Sequence, residues 1–201
     1  MAELAGAGYR TANLGETRPA VGNAARKFVI TFDDGYVNVL RYAAPVLARH
    51  GFTAIQFIVA GGIGGSNAWD IAEGERATPL MDAAQIGDWL AAGHEIGSHT
   101  VSHPRLTQIP AARQREEIFA SKRRLEDRFG RPVRHFCYPY GDWNEAVRDL
   151  VSEAGYATAC THLESGVNTA ATPDHALLRI EARYPRRNLR WLWRGLLNGW
   201  A

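Results

Sequence analysis

Short β-branched runs alternate with stretches of helical periodicity along most of the chain, and this alternation constrains the fold more than any other feature. KFVITF, TAIQFIVA, HEIGSH, VRHFCYP, YATAC and ALLRIEA read as strands. Between them, VNVLRYAAPVLARHG, MDAAQIGDWLAAG, PAARQREEIFASKRRLEDRFG and NEAVRDLVSEAG place apolar residues at helical spacing. Pro45 predicts a kink in the first of these helices, and Gly130 predicts the end of the third. Strand followed by helix, repeated, predicts an α/β fold built on a parallel sheet or barrel. Residues 1–26 are rich in Ala, Gly and Asn and lack hydrophobic periodicity, so they predict a poorly ordered arm, with the folded domain over 27–201. The final stretch, NLRWLWRGLLNGW, predicts a terminal helix packing Trp191, Trp193 and Trp200 on the body, a membrane-surface helix being the other reading.

Parallel α/β sheets bind and react at the carboxyl ends of their strands, where the loops converge. FVITFDDGY puts Asp33 and Asp34 at such an end. Two adjacent like charges there cost stability through repulsion and desolvation unless something positive faces them. HTVSH closes the third strand with His99 and His103 four apart, and FCYPYG closes the fourth. Two neutral imidazoles and one carboxylate make a facial set for a divalent first-row metal, with positions left for water and substrate. The cation would reverse the local cost of negative charge, leaving the second aspartate free to accept a proton. The plainer readings are a capped histidine turn and an Asx turn with Gly35 as its left-handed residue.

Other features narrow the function. The chain carries 23 basic and 21 acidic side chains, a net charge of +2, which gives no pull toward nucleic acid. The first residues have no basic start with an apolar stretch behind it, and no run is long enough to cross a bilayer. The expectation is therefore a soluble, cytoplasmic protein without a transmembrane segment, although a secreted protein whose leader has been removed would read the same. Oligomeric state is left open. Cys137 and Cys160 are expected as free buried thiols. AGGIGGSN between Ala60 and Asn67 lacks the GK[ST] of a phosphate loop and is expected to form a rim over the site. His50, His94 and His135 are assigned no chemistry.

TFDDG, then HTVSH, then FCYPYG resembles the polysaccharide deacetylase family, carbohydrate esterase family four, from about Lys27 to Arg179. The resemblance implies a distorted (β/α)7-type barrel and a metal-dependent hydrolase that removes N-acetyl groups from N-acetylated saccharides. It implies Asp33 as catalytic base, Asp34, His99 and His103 as metal ligands, and a divalent ion, zinc first, with cobalt or nickel as alternatives. The residue matching Tyr140 would offer its backbone N–H to the oxyanion, and Tyr138 and Trp143 are read either as walls of a sugar site or as core. Three departures go with the match. Cys137 stands where the family's third motif has an arginine that orients the base, so Arg179 is expected to reach Asp33 from the sixth strand instead. No Leu–His motif follows that strand, so His162, ahead of His175, is the candidate acid for the departing nitrogen. Six strands rather than seven predict either an irregular strand or an open, incomplete barrel. Two further readings are hydrolysis of non-sugar C–N bonds and a catalytically weak carbohydrate-binding relative.

Overall fold

The computed structural model of the protein describes residues 1–16 and 26–182. Helix α1 (Ala2–Gly6) leads to strand β1 (Arg10–Thr11), which pairs in parallel with β2 (Lys27–Phe28). Among the described residues, six parallel strands then form the main sheet in chain order: β3 (Thr31–Phe32), β4 (Ile55–Ile58), β5 (Glu95–Ser98), β6 (His135–Cys137), β7 (Thr158–Ser165) and β8 (Leu177–Arg179). Helices α2 (Ala44–His50), α3 (Ala68–Ile71), α4 (Ala83–Ala91), α5 (Ala111–Phe129) and α6 (Glu145–Glu153) lie between the strands. The sheet is a curled, incompletely closed half-barrel, so of the two expected forms the open one is found. Among the described residues its edges are β3 and β8.

Strand period explains how the sheet is covered. Side chains alternate between faces, and the two buried clusters follow that alternation. Ile58, Ile96, Phe136 and Ala159 join a core with Leu47, Ile86, Trp89, Ile118, Leu125, Val147 and Val151 from the helices. Ile55, Phe57, Cys137, Cys160 and Leu177 form a second cluster on the inner face of the curl, joined by Leu14 from a short 3-10 turn near the N-terminus rather than by the helices between the strands. Both cysteines are buried free thiols, paired in register across β6 and β7. The helices end where the sequence expects: Gly51 and Gly130 take left-handed φ values of 65° and 63° at the C-caps of α2 and α5. Asp82 and Gln85 form a reciprocal capping box at the start of α4.

The sequence pattern is modified in three places. KFVITF splits, because β2 pairs with β1 while β3 pairs with β4. The helix containing Pro45 opens as a π-helical turn over Val39–Ala43, and Pro45 then sits in the first turn of α2, where its missing N–H costs little. The arm is structured in its first part: Tyr9 packs edge-on against Phe28, and Arg26 donates to the Ala7 carbonyl. The tryptophan-rich segment after residue 182 lies outside the described residues. No described helix is long and apolar enough to cross a membrane.

Two glycines separate close packing from open surface. A Cβ on Gly97 would lie 2.5 Å from the Phe57 ring and 2.9 Å from the His135 carbonyl oxygen, whereas one on Gly87 in α4 would meet nothing within 4 Å. Gly97→Ala is therefore expected to destabilise by about 1–3 kcal/mol, and Gly87→Ala to stabilise by roughly 0.5–1 kcal/mol. Urea midpoints for the two variants check the opposite signs.

Candidate metal centre

The three motifs meet at the carboxyl ends of β3, β5 and β6. Among the described residues, the non-glycine residues with positive φ are Asp34 (71°), Thr100 (66°), His103 (62°) and Tyr140 (57°). All belong to these motifs, and such strained backbone persists only where surrounding contacts fix it.

The left-handed turn at Asp34 sends the adjacent carboxylates apart. The Asp33 carbonyl accepts from the Gly35 N–H at 2.9 Å and from Gln56 Nε2 at 2.8 Å, so the turn is held from β4. Gly35 has a φ of 88°, and a Cβ there would come within 3.2 Å of Ile58, so the third residue of DDG has to be glycine.

Asp34 faces the histidines. Its Oδ1 lies 3.4 Å from His99 Nε2 and 3.3 Å from His103 Nε2. The same Oδ1 is buried without a hydrogen-bond partner. Two imidazole nitrogens converging at these distances on an unsatisfied carboxylate oxygen make, with it, a three-ligand divalent-metal site. His99 Nδ1 lies 2.7 Å from the Cys137 carbonyl oxygen, which fixes the tautomer and leaves Nε2 as the ligand atom. Burial works to raise the Asp34 pKa, but the two histidines outweigh it and hold the carboxyl well below the usual carboxylate range.

Asp33 faces the other way. Arg179 Nη1 donates to its Oδ1 at 2.7 Å and Nη2 to its Oδ2 at 2.8 Å, a bidentate pair. Arg179 also reaches Thr31 Oγ1 at 3.1 Å, the Thr161 carbonyl at 3.3 Å and Cys137 Sγ at 3.2 Å. Strand parity explains the aim: Leu177 lies in the inner cluster, so Arg179, two residues on, points to the same side. Burial pushes the Asp33 pKa up, and the charge and hydrogen bonds of Arg179 more than reverse it. Cys137 Sγ sits 3.7 Å from Asp33 Oδ2, filling the place beside the pair.

The structure separates the two candidate acids. His162, on β7, has its pKa lowered by partial desolvation of its ring and then by the charge of Arg179, with Asp33 and His99 also within electrostatic reach. His175 is elsewhere: it precedes β8, its Nε2 lies 2.8 Å from the Tyr156 carbonyl, and its own carbonyl accepts from the Tyr138 hydroxyl. Tyr138 is fully buried and so belongs to the core, and Trp143, half-buried, stacks on it at 5.8 Å. The aromatic rings beside the metal cluster are instead Tyr140 and Trp69, which lie 4.6 Å from the His103 ring on edge-on and stacked geometries respectively. Trp69, in α3, is a site residue that the sequence reading missed. A tryptophan in the polar, glycine-rich stretch between two elements was the available signal. Arg105 lies over the Tyr140 ring at 4.0 Å.

A family model described as Polysaccharide deacetylase matches residues 21–159. The chain belongs to the polysaccharide deacetylase family. It is 30% identical over 145 residues to a chitooligosaccharide deacetylase of Sinorhizobium fredii, covering 70% of this chain and 59% of that protein. It is 28% identical over 152 residues to the putative polysaccharide deacetylase YxkH of Bacillus subtilis, covering 76% of this chain and 50% of that one. The chain thus spans half to three fifths of the length of these relatives. Among solved structures, IcaB from Ammonifex degensii superposes with a TM-score of 0.77 at 22% identity, covering 94% of this chain and 82% of that one. The deacetylase PplD of Streptococcus pyogenes, solved with acetate, gives 0.76 at 22% identity over the same shares, 94% and 82%. These likenesses establish the fold.

A ligand that binds the folded state alone raises stability by mass action, about 2.7 kcal/mol at a hundred times its Kd. Chelated protein is therefore expected to unfold at a temperature that rises with added zinc, cobalt or nickel, and His103→Ala to lose that rise. A thermal midpoint indifferent to all three ions in the unsubstituted protein would contradict the metal centre.

Proposed function

We propose that the protein is a metal-dependent N-deacetylase that releases acetate from N-acetylated saccharides. The observation that carries this reading is the division of the carboxylates: Asp34 with the two histidines, Asp33 with Arg179. The family membership and the named chitooligosaccharide deacetylase relative support a saccharide as the substrate. A divalent ion held by Asp34, His99 and His103, zinc first for a set of two imidazoles and a carboxylate, supplies Lewis acidity toward the acetamide carbonyl and toward the attacking water.

The remaining work falls to the chain. Asp33, kept ionised and aimed by Arg179, takes the proton of the attacking water. The backbone N–H of Tyr140 donates to the carbonyl oxygen as negative charge develops on it. His162 gives a proton to the departing nitrogen, since an amide anion is a very poor leaving group. Trp69 and Tyr140 offer aromatic faces against which a sugar ring can lie.

Acetate release from a panel of acetylated sugar oligomers, lost on chelation and restored by zinc or cobalt, is the expected result. Release from ureides or formamides but from no saccharide would overturn it. His162→Ala is expected to lower kcat by roughly a hundredfold, within the range for a lost general acid, while His175→Ala leaves it unchanged.

Arg179→Ala moves the pH profile in a defined direction. Asp33 must be ionised to act as base, and Arg179 holds its pKa down, so losing the guanidinium moves the acid limb to higher pH. His162 must be protonated to act as acid, and after burial it is Arg179 that lowers its pKa, so the alkaline limb also moves to higher pH. A profile that keeps both limbs in place would exclude Arg179 from the role of orienting and charging the base.

A further inference from the structure

Helix α5 carries a buried carboxylate on its core stripe. Gln114, Glu117, Ile118, Ser121 and Leu125 form its buried face, and Glu117 is only 2% exposed. An isolated ionised carboxylate at a core position costs several kcal/mol unless its oxygens are satisfied. Its satisfaction comes from the metal-binding loop. Glu117 Oε2 accepts the Val101 and Ser102 N–H groups, each at 2.8 Å, and Oε1 accepts the Ser102 hydroxyl at 2.6 Å. Arg113, about half exposed, is a more distant partner at 3.4 Å.

These hydrogen bonds fall between the two histidine ligands, on a segment that resists its own conformation. Thr100 and His103 both have left-handed φ, and for a β-branched threonine this is an outlier backbone. Part of the loop is fixed by other contacts. Its carbonyls at Thr100 and Val101 accept from the N–H groups of Ala60 and Gly61 beyond β4, and the Thr100 hydroxyl accepts from the His103 N–H at 2.9 Å. The successive N–H groups of Val101 and Ser102 point the other way, into α5, and Glu117 takes both. Charge-assisted bonds of this kind are roughly twice as strong as neutral ones.

We propose that Glu117 is a positioning residue of the metal centre: its carboxylate holds the strained loop so that His103 Nε2 converges with His99 Nε2 on Asp34. This rests on the metal reading of the Asp34–His99–His103 cluster, and it assigns Glu117 no contact with metal or substrate. Outer-shell partners that orient ligands typically change metal affinity about 10–100-fold when removed. Glu117→Ala should therefore weaken zinc binding to that extent. Glu117→Gln should give a smaller loss, since an amide oxygen can still accept both N–H groups but without the charge. Ser102→Ala, which leaves the two N–H bonds in place, should bind close to the unsubstituted protein.

The test is isothermal titration of chelated protein with zinc at fixed pH, for the unsubstituted chain and these variants. Metal-free thermal unfolding by circular dichroism shows that each is folded at the titration temperature. The expected result is the graded order Ser102→Ala, Glu117→Gln, Glu117→Ala in weakening affinity. A folded Glu117 variant with unchanged zinc affinity, whatever its unfolding temperature, would overturn the proposal, because a purely structural role predicts lost stability without lost affinity. If Glu117→Ala does not fold, Glu117→Gln decides on the same criterion. An unsubstituted protein that takes up no zinc would remove the metal reading itself and this inference with it.

Discussion

The bidentate pair between Asp33 and Arg179 joins the two open edges of the half-barrel and sets the chemistry of its mouth. Asp33 follows the first strand of the main sheet and Arg179 ends the last, yet the guanidinium reaches both that carboxylate and Thr31. Among the described residues no backbone ladder joins β3 to β8, and this side-chain bridge spans from one to the other. It also resolves the electrostatic conflict of two adjacent aspartates. One negative charge is neutralised by arginine and turned inward, and the other is turned toward two imidazoles. Without that separation, like charges at the end of a buried strand would repel and one would protonate.

Around this pair the backbone is fixed against its own preferences. Residues held in left-handed conformations cost of order 1–3 kcal/mol each, and the site has such residues in all three motifs. Each strained turn has contacts from outside it. Gln56 holds the turn at Asp33 from the neighbouring strand, Glu117 holds the loop between the histidines from α5, and the Thr161 hydroxyl of β7 donates to the Gly141 carbonyl beside the turn at Tyr140. The helix-covered core, with Trp89, Ile118 and Phe136 fully buried, is the rigid support from which those contacts act.

Much of this was legible in the sequence. Alternating strand and helix patterns gave the order of elements, and residue types at strand ends gave the metal cluster, because period and loop position are local properties. Arg179 could be expected at Asp33 because Cys137 holds the place of the family's arginine and Arg179 is a charged residue within an apolar strand. What was hidden depends on tertiary contact. The break in KFVITF is set by β1, which takes β2 away from β3's partner. Tyr138 and Tyr140 look equivalent in FCYPYG, but strand alternation buries the first, while the left-handed turn at the second brings its ring to His103. Glu117 resembles any helix-surface glutamate in a run of charges, and only its place on the buried stripe with Ile118 and Leu125 marks it.

The central claim is that the adjacent aspartates do different work, and conservative replacement of each tests it most directly. Zinc affinity by calorimetry and acetate release from an acetylated sugar oligomer would be measured for Asp33→Asn and Asp34→Asn under the same conditions. The account predicts that Asp33→Asn keeps zinc near the unsubstituted affinity and loses turnover, while Asp34→Asn loses zinc and turnover together. Loss of zinc by Asp33→Asn to the same degree as by Asp34→Asn would contradict the division of roles on which the reading of the site rests.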